Sequence, residues 1–424
     1  MRMRTFIASA AIAATVLTSG CSSATNQHKP ITLEQREQLS ESIDQTIVQS
    51  SNHFGLRLHE QLVKSESGHN VFLSPLSIST AFAMAANGSK GDTLNELLHV
   101  LGWDGKSAQD LNAAYQQLLS LISEPGAGVE LRIANSMWSD KKAALLTAFT
   151  DTLHQYYGAE PKQADFTDPH NTAKQINGWV SEHTNSMIKK LLDADSVNPD
   201  TVLMLLNAIY FNGEWKEPFR KSDTSDAPFH LIDGSDVTAA FMSQSGQFEY
   251  KKTDSYEAIR LPYGEGQMAM TIVLPANGKT LDDFQQLLWN GKITVSDRFA
   301  KHRGSIRLPK FKMEYSAKLN DALQKLGMKL PFDSNAADLS GITGKRDLVI
   351  SKVLHKSIIE VSEEGTEAAA VTSIETVATS APAVDPVPFN MNVNRPFYFA
   401  IEDLQSGVQL FTGSMYNPAS ASDE

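Results

Sequence analysis

Glu363-Glu364-Gly365-Thr366-Glu367-Ala368-Ala369-Ala370-Val371-Thr372-Ser373-Ile374-Glu375-Thr376 decides how this chain is read. Polarity in this stretch follows a period of two. Thr366, Ala368, Ala370, Thr372, Ile374, Thr376 and Ala378 are uncharged, while the intervening series contains Glu367 and Glu375. Successive side chains of a strand point to opposite faces, so an extended form has one small, neutral face and one that meets water. Gly365 and the three alanines, however, are weak strand formers. Together these properties predict a mobile loop with a second state, in which the segment joins a sheet. Immediately downstream, residues 381–388 include Pro382, Pro386 and Pro388. That segment cannot be a central strand, and an extended, exposed conformation is expected. A connection this long without a core of its own points to function.

The surrounding chain is large enough to hold such a loop. Its 424 residues are 41% hydrophobic and 20% charged, which suits one large domain with a sizeable core. Net charge is −12. Without a dense Lys/Arg run, the sequence lacks the electrostatic footprint of a nucleic-acid binder. Cys21 is the single cysteine, so no intramolecular disulfide can form. Residues 1–4 are basic and 5–16 are small and apolar, the layout of a secretory signal too short to span a membrane. The following Leu17-Thr18-Ser19-Gly20-Cys21 resembles a bacterial lipobox. That resemblance implies a signal peptide over 1–20, a lipid on Cys21, and membrane attachment through it. Ser22, where Asp would favour the inner membrane, points to the outer one. Residues 21–39 are polar and read as a flexible tether. A single domain is expected over 40–418, followed by a polar tail at 419–424.

Within the domain, Phe54, Leu58 and Leu62 mark one buried helical stripe. Ile176, Trp179, Val180, Met187 and Leu191 mark a second. Leu319, Ala322, Leu323 and Leu326 mark a third, stopped by Gly327. Strands are expected over 202–211, 268–274, 304–308, 348–354 and 397–401. Helices and strands are intermixed, which predicts a mixed α/β (α+β) fold with largely antiparallel sheets. No G-x-S-x-G elbow, H-E-x-x-H pair, phosphate-binding loop or Cys/His cluster occurs. The residues therefore favour a protein that is not an enzyme and needs no cofactor or metal. A hydrolase whose triad is dispersed in sequence stands as the enzymatic alternative. His355 follows the apolar run 348–354 and reads either as a hydrogen-bonded core residue or as a polar switch point in a sheet.

Several motifs, taken in order, resemble the serpin family. They include Asn70-Val71-Phe72-Leu73-Ser74-Pro75-Leu76-Ser77-Ile78 and Gly88-Ser89-Lys90-Gly91-Asp92-Thr93. The most specific is Asn207-Ala208-Ile209-Tyr210-Phe211-Asn212-Gly213-Glu214-Trp215. Leu308-Pro309-Lys310-Phe311, Ala337-Asp338-Leu339-Ser340-Gly341, His355-Lys356, Asn394-Arg395-Pro396-Phe397-Tyr398-Phe399 and Phe411-Thr412-Gly413 follow. The resemblance implies three mainly antiparallel β-sheets, about nine helices and an exposed reactive-centre loop over about 363–388.

It further implies a monomeric, irreversible inhibitor of serine, and also cysteine, endopeptidases. The target is a covalent partner, held as an acyl-enzyme while the loop inserts. Glu363, Gly365, Thr366, Ala368, Ala369 and Ala370 match the loop hinge. The family's spacing of seventeen residues from Glu363 puts the cut at Thr379–Ser380. The chain from Ser380 to Pro396 is longer than the family pattern, which keeps Ala378 as an alternative. No Lys or Arg lies between Gly365 and Asn394, so a small-pocket target, elastase-like or subtilisin-like, is expected rather than a trypsin-like one. Ser74, Ser77, Asn207 and His355 match the polar cluster where sheet strands part, and Trp215 the point of loop entry. A non-inhibitory binding or carrier protein of the same fold is the alternative.

Overall fold

The apolar run Leu203-Met204-Leu205-Leu206-Asn207-Ala208-Ile209-Tyr210-Phe211 lies at the centre of a sheet covered on both faces. In the computed structural model, which describes residues 31–296, 298–366 and 387–419, it forms most of β4 (Leu203–Glu214). Every position from Leu203 to Phe211 is buried. Such continuous burial explains why the run is apolar at every position but Asn207 and does not alternate. One face of the sheet packs on the helix Pro169–His183, where Ile176 and Val180 meet Trp138, Met204, Leu206 and Ala208. This smaller sheet runs β10 (Phe311–Lys318), β11 (Lys352–Val361), β12 (Gly365–Thr366), β4, β2 (Val129–Asp140) and β3 (Lys162–Ala164).

The larger network runs β1 (Val71–Leu73), β15 (Gln409–Met415), β14 (Phe397–Asp403), β8 (Met268–Pro275), β7 (Tyr256–Tyr263), β6 (Asp236–Lys252), β9 (Ala300–Pro309) and β13 (Phe389–Asn392). β5 (Ser225–His230) pairs with the start of β6. Three sheets were expected, and two hydrogen-bonded networks are found among the described residues. The reason is β6, a 17-residue strand that pairs β5 at one end and β7 at the other. It thereby joins two sheets into one. The fold class, mixed α/β with mainly antiparallel sheets, is as expected.

Between the networks lies α3 (Pro75–Gly88), buried on nearly every side and touching β2, β4 and β15. Ser74 caps it by accepting a hydrogen bond from the Ser77 N–H, and Pro75 occupies the first turn, where no donor is needed. Against it packs α2 (Gln45–Ser65), whose Phe54, Leu58 and Leu62 are buried as the stripe predicts.

Three boundaries depart from the sequence reading. The tether was expected to last to residue 39, but α1 (Leu33–Glu41) is already helical, with Thr32 and Gln35 forming a capping box. Arg36 on α1 is only 1% exposed, paired with Asp403 and donating from Nε to the Glu124 carbonyl at 2.7 Å. Among the described residues, regular structure thus already covers Leu33–Glu41, within and beyond the stretch expected to be tether. The second helical stripe stops early. Asn185 and Ser186 adopt positive φ after His183, which ends the helix before Met187 and Leu191. Finally, the strand expected over 348–354 starts at Lys352. Ile350 N–H and Ser351 N–H bond the carbonyls of Pro331 and Leu203 outside any regular ladder. His355 consequently lies inside β11, not beyond its end.

Candidate functional site

The central feature of the smaller sheet is the seam between β4 and β11. These strands run parallel and pair directly from Lys352↔Met204 to Ile358↔Tyr210. Beyond Ile358 they separate, and β12 fills the gap. Thr366 pairs with Val361 on one side and with Gly213 on the other, while Gly365 pairs with Glu214. Both of these pairings are antiparallel. The chain leaving β11 thus turns back at once and begins a new strand between its two neighbours.

Sequence and packing both require glycine at this turn. Gly365 has φ +154°, and a Cβ there would sit 2.1 Å from the Gly213 carbonyl oxygen and 2.7 Å from Glu214 Cα. Only hydrogen fits. Thr366 is 0% exposed, and its hydroxyl meets the Tyr263 hydroxyl at 2.6 Å. Burial raises the Tyr263 hydroxyl well above its ordinary value, so it is a neutral partner. Tyr263 stacks on Trp215 at 4.4 Å with an 11° interplanar angle. Trp215 donates from Nε1 to the Ser362 carbonyl at 2.9 Å and from its backbone N–H to the Glu364 carbonyl at 2.9 Å. Phe219 N–H reaches the Glu363 carbonyl at 2.8 Å.

The two glutamates before the turn are also held. Glu363 is 5% exposed and accepts from Lys310 Nζ at 2.7 Å and Thr224 Oγ1 at 2.8 Å. Burial, the largest single influence, acts to raise its carboxyl, but these two hydrogen bonds, a backbone hydrogen bond and the Lys310 charge together hold the group below its ordinary value. Glu364 pairs with Lys221 at 2.6 Å.

Lower on the seam lies a buried polar cluster. Asn207 of β4 donates from Nδ2 to Ser77 Oγ and to Asn135 Oδ1, and Ser77 Oγ donates to Asn135 Oδ1 at 2.9 Å. Asn207 Oδ1 must then accept from His355 Nδ1 across the seam. His355 is 1% exposed, and burial drops its pKa to about 3. It is therefore neutral, with its proton on Nδ1. Two residues on, Ser357 Oγ donates to the Phe72 carbonyl at 2.7 Å, tying β11 to β1.

Of the residues singled out in the sequence, Glu363, Gly365, Thr366 and Trp215 meet at the parted end of the seam. Ser77, Asn207 and His355 meet at its closed part. Ser74 belongs to the cap of α3 and touches the cluster only through Ser77. Ala368, Ala369, Ala370, Ala378, Thr379, Ser380 and Cys21 lie outside the described residues. Sequence reading missed Asn135, Tyr263, Thr224, Gly213 and the role of Lys310 at this site. Gly213 sat within a quoted motif, and its small size beside Gly365 was the available signal.

A family model described as Serpin (serine protease inhibitor) matches residues 49–418. The chain is a serpin. An uncharacterized serpin-like protein of Thermococcus kodakarensis is 36% identical over 90% of this chain and 88% of its own length. Leukocyte elastase inhibitor of Equus caballus is 35% identical over 87% and 98%. Serpin B9 of Homo sapiens is 33% identical over 88% and 100%. Among solved structures, Serpin48 of the insect Tenebrio molitor superposes with a TM-score of 0.80 at 31% identity, covering 88% of this serpin and 98% of that chain. The thermophilic serpin tengpin, in its native state, gives 0.79 at 29% identity over 89% and 95%. Protease inhibitors are thus among the relatives of this serpin.

Proposed function

We propose that this serpin is an irreversible inhibitor of small-pocket serine endopeptidases, elastase-like or subtilisin-like, exported as a lipoprotein through Cys21 and placed at the outer membrane. The observation that carries the mechanism is β12. It lies between β4 and β11, antiparallel to both, with the uncharged series beginning at buried Thr366. An incoming strand that continues β12 replaces one parallel ladder with two antiparallel ones. Antiparallel pairing is somewhat stronger per residue, and the ladder count doubles.

The target's serine attacks the carbonyl of Thr379, with Ala378 or Ser380 as the alternatives. The peptide bond breaks, the new amine leaves with the downstream chain, and the upstream loop stays on the protease as an ester. Freed from β13, the loop extends β12 down the seam. Residues 366–378 span roughly 40 Å as a strand, so the attached protease travels about that far before water can release it. Small neutral side chains favour the fast entry that this competition requires, because a buried unpaired charge costs several kcal/mol.

The test is incubation with pancreatic elastase, subtilisin and trypsin. An SDS-stable complex with the first two but not with trypsin is expected, with a released peptide whose mass begins at Ser380. Turnover of the loop without any stable complex would replace this reading with that of a non-inhibitory protein. Globomycin sensitivity and palmitate labelling lost in Cys21→Ser test the lipid.

A further inference from the structure

Strand β2 is covered along one edge and, for most of its length, open along the other. Its register with β4 is unbroken from Val129↔Gly213 to Ser139↔Leu203. β3 covers the second edge only from Trp138↔Lys162 to Asp140↔Ala164. The chain before β3 leaves the helix Thr147–Tyr157 through Gly158, at φ +59°, and meets that edge only at Lys162.

The ends of β2 tell which backbone groups face the open edge. Asp140 N–H bonds the Val202 carbonyl and the Gly128 carbonyl accepts from Glu214 N–H, both on the β4 side. Lys141 N–H bonds the Ala164 carbonyl, on the β3 side. In an antiparallel ladder the N–H and C=O of one residue point the same way, and the direction alternates along the strand. The even-numbered residues of β2 therefore bond β4. The N–H and C=O groups of Leu131, Ile133 and Asn135 point to the open edge, where they have no hydrogen-bond partner among the described residues.

That edge borders a cavity of about 820 Å³, the size of a ligand site. Residues 131–135 line it consecutively, as a strand presented edge-on must. Leu119 and Ile122 of the helix Ala108–Ile122 form one wall with Tyr157, and Trp179 of the helix Pro169–His183 forms another. Leu119, Leu131, Ile133, Tyr157 and Trp179 are each only half-buried. Free amide groups repeating every second residue between apolar walls complement one chemistry, a second extended backbone. A small polar molecule reaches one or two of these groups, but not a row of them that runs for about 13 Å.

We propose that the open edge of β2 is a binding site for a free, extended peptide of about five residues, which adds as a strand in line with β3. β3 closes the slot at one end, which suits a short peptide and not the middle of a longer chain. Peptide side chains level with Leu131 and Ile133 meet Leu119 and Tyr157, so apolar residues are selected at alternate positions. The site lies on the far side of β4 from the parted seam. Asn135 belongs to both, since its side chain accepts from Ser77 and Asn207.

The probe is acetyl-Val-Ser-Val-Ser-Val carrying a C-terminal fluorescein, titrated with the full-length protein and read by anisotropy. One isomer is N-methylated at every Val and a second at every Ser, so each loses the donors of one edge. A strand held along a single edge tolerates one isomer. One is expected to bind like the parent and the other at least about tenfold more weakly. A peptide that entered the β4–β11 seam instead would be paired along both edges and lose both. Ile133→Pro removes one open-edge donor while sparing the ladder to β4, and Leu119→Trp narrows the cavity without touching β2. Each is expected to weaken the parent peptide at least about tenfold, and Leu119→Trp decides alone should Ile133→Pro fail to fold. No saturable binding below about 1 mM, equal binding of both isomers, loss of both, or unchanged binding by a folded Leu119→Trp variant would each overturn the site. None of these outcomes bears on the inhibitor reading, which is scored by SDS-stable complexes.

Discussion

The two ends of the β4–β11 seam are built from the same strands and behave differently. At one end the strands have parted, and Gly365–Thr366 lies between them with Thr366 buried. At the other they are zipped in direct register through seven pairs, with Asn207 and His355 joined across the seam. A strand has therefore already started at the parted end. On the proposed mechanism, a strand that extends β12 meets the closed ladder ahead of it. Those backbone bonds and a dry polar cluster must come apart before new partners arrive, and unpaired polar groups are costly there.

That contrast can be broken most severely at the open end. Thr366→Arg puts a charge at a fully buried position, against the neutral Tyr263 hydroxyl. Inhibition should be lost, with the loop cleaved as a substrate and the stoichiometry of inhibition rising more than about tenfold, since a buried unpaired charge costs several kcal/mol. Wild-type amounts of SDS-stable complex would show that entry does not start at this end.

At the closed end, Asn207→Ala strands the His355 Nδ1–H and takes one donor each from Ser77 Oγ and Asn135 Oδ1, which still bond each other. Each unmade buried hydrogen bond costs about 1–3 kcal/mol. The intact variant should lose inhibitory activity faster than wild type on warming, as the seam opens and the uncut loop enters. An unchanged half-life would mean the ladder alone holds the seam.

A gentler probe is pH. The folded pKa of His355, about 3, lies below its unfolded value of 6.5. Between those values the unfolded chain binds the extra proton, so stability falls as pH falls below 6.5. The contribution lost is about 2 kcal/mol by pH 5. His355→Asn keeps a donor near Nδ1 but removes the titration. Its urea-unfolding free energy should vary less steeply between pH 6.5 and pH 5 than that of wild type. His59, whose pKa is also lowered to about 3 by burial, contributes equally to both proteins. Parallel profiles would exclude His355 as the source.

The smallest effect is expected at the clamp before the turn. Lys310→Met removes a partner of Glu363, but the lysine is 38% exposed and water screens the pair. A loss below about 1 kcal/mol is expected. Because Glu363 is held below its ordinary value, its share of stability is present above pH 4.5 and fades as pH falls further. Chemical denaturation at pH 7 and pH 4 should show a smaller deficit for the variant at the lower pH.

Much of this contrast was legible in the sequence, and the reason differs by residue. The run Leu203–Phe211 declares a doubly covered strand because every position is apolar except Asn207. The series starting at Thr366 declares its buried face because a strand's period is two. Asn135 and Tyr263 were invisible because each comes from a distant strand, and local pattern reports which face is covered but not by what. The same limit hid the partners of Glu363, since Lys310 and Thr224 are set by how β10 and the chain before β5 approach the turn. Arg36 lay unnoticed in the stretch read as a flexible tether, since nothing local marks an arginine among polar residues as buried. Only the fold supplies Asp403.

That arginine also fixes how the molecule bears mechanical load. A pull on the chain ahead of Ile31 reaches α1 first, and α1 is fastened through Arg36 to Asp403, which Ser406 grips in turn through its backbone N–H and hydroxyl. Removing one partner of such a buried pair costs about 3–5 kcal/mol. Through this pair load on α1 is handed to β14, so α1 works as strain relief on a cable.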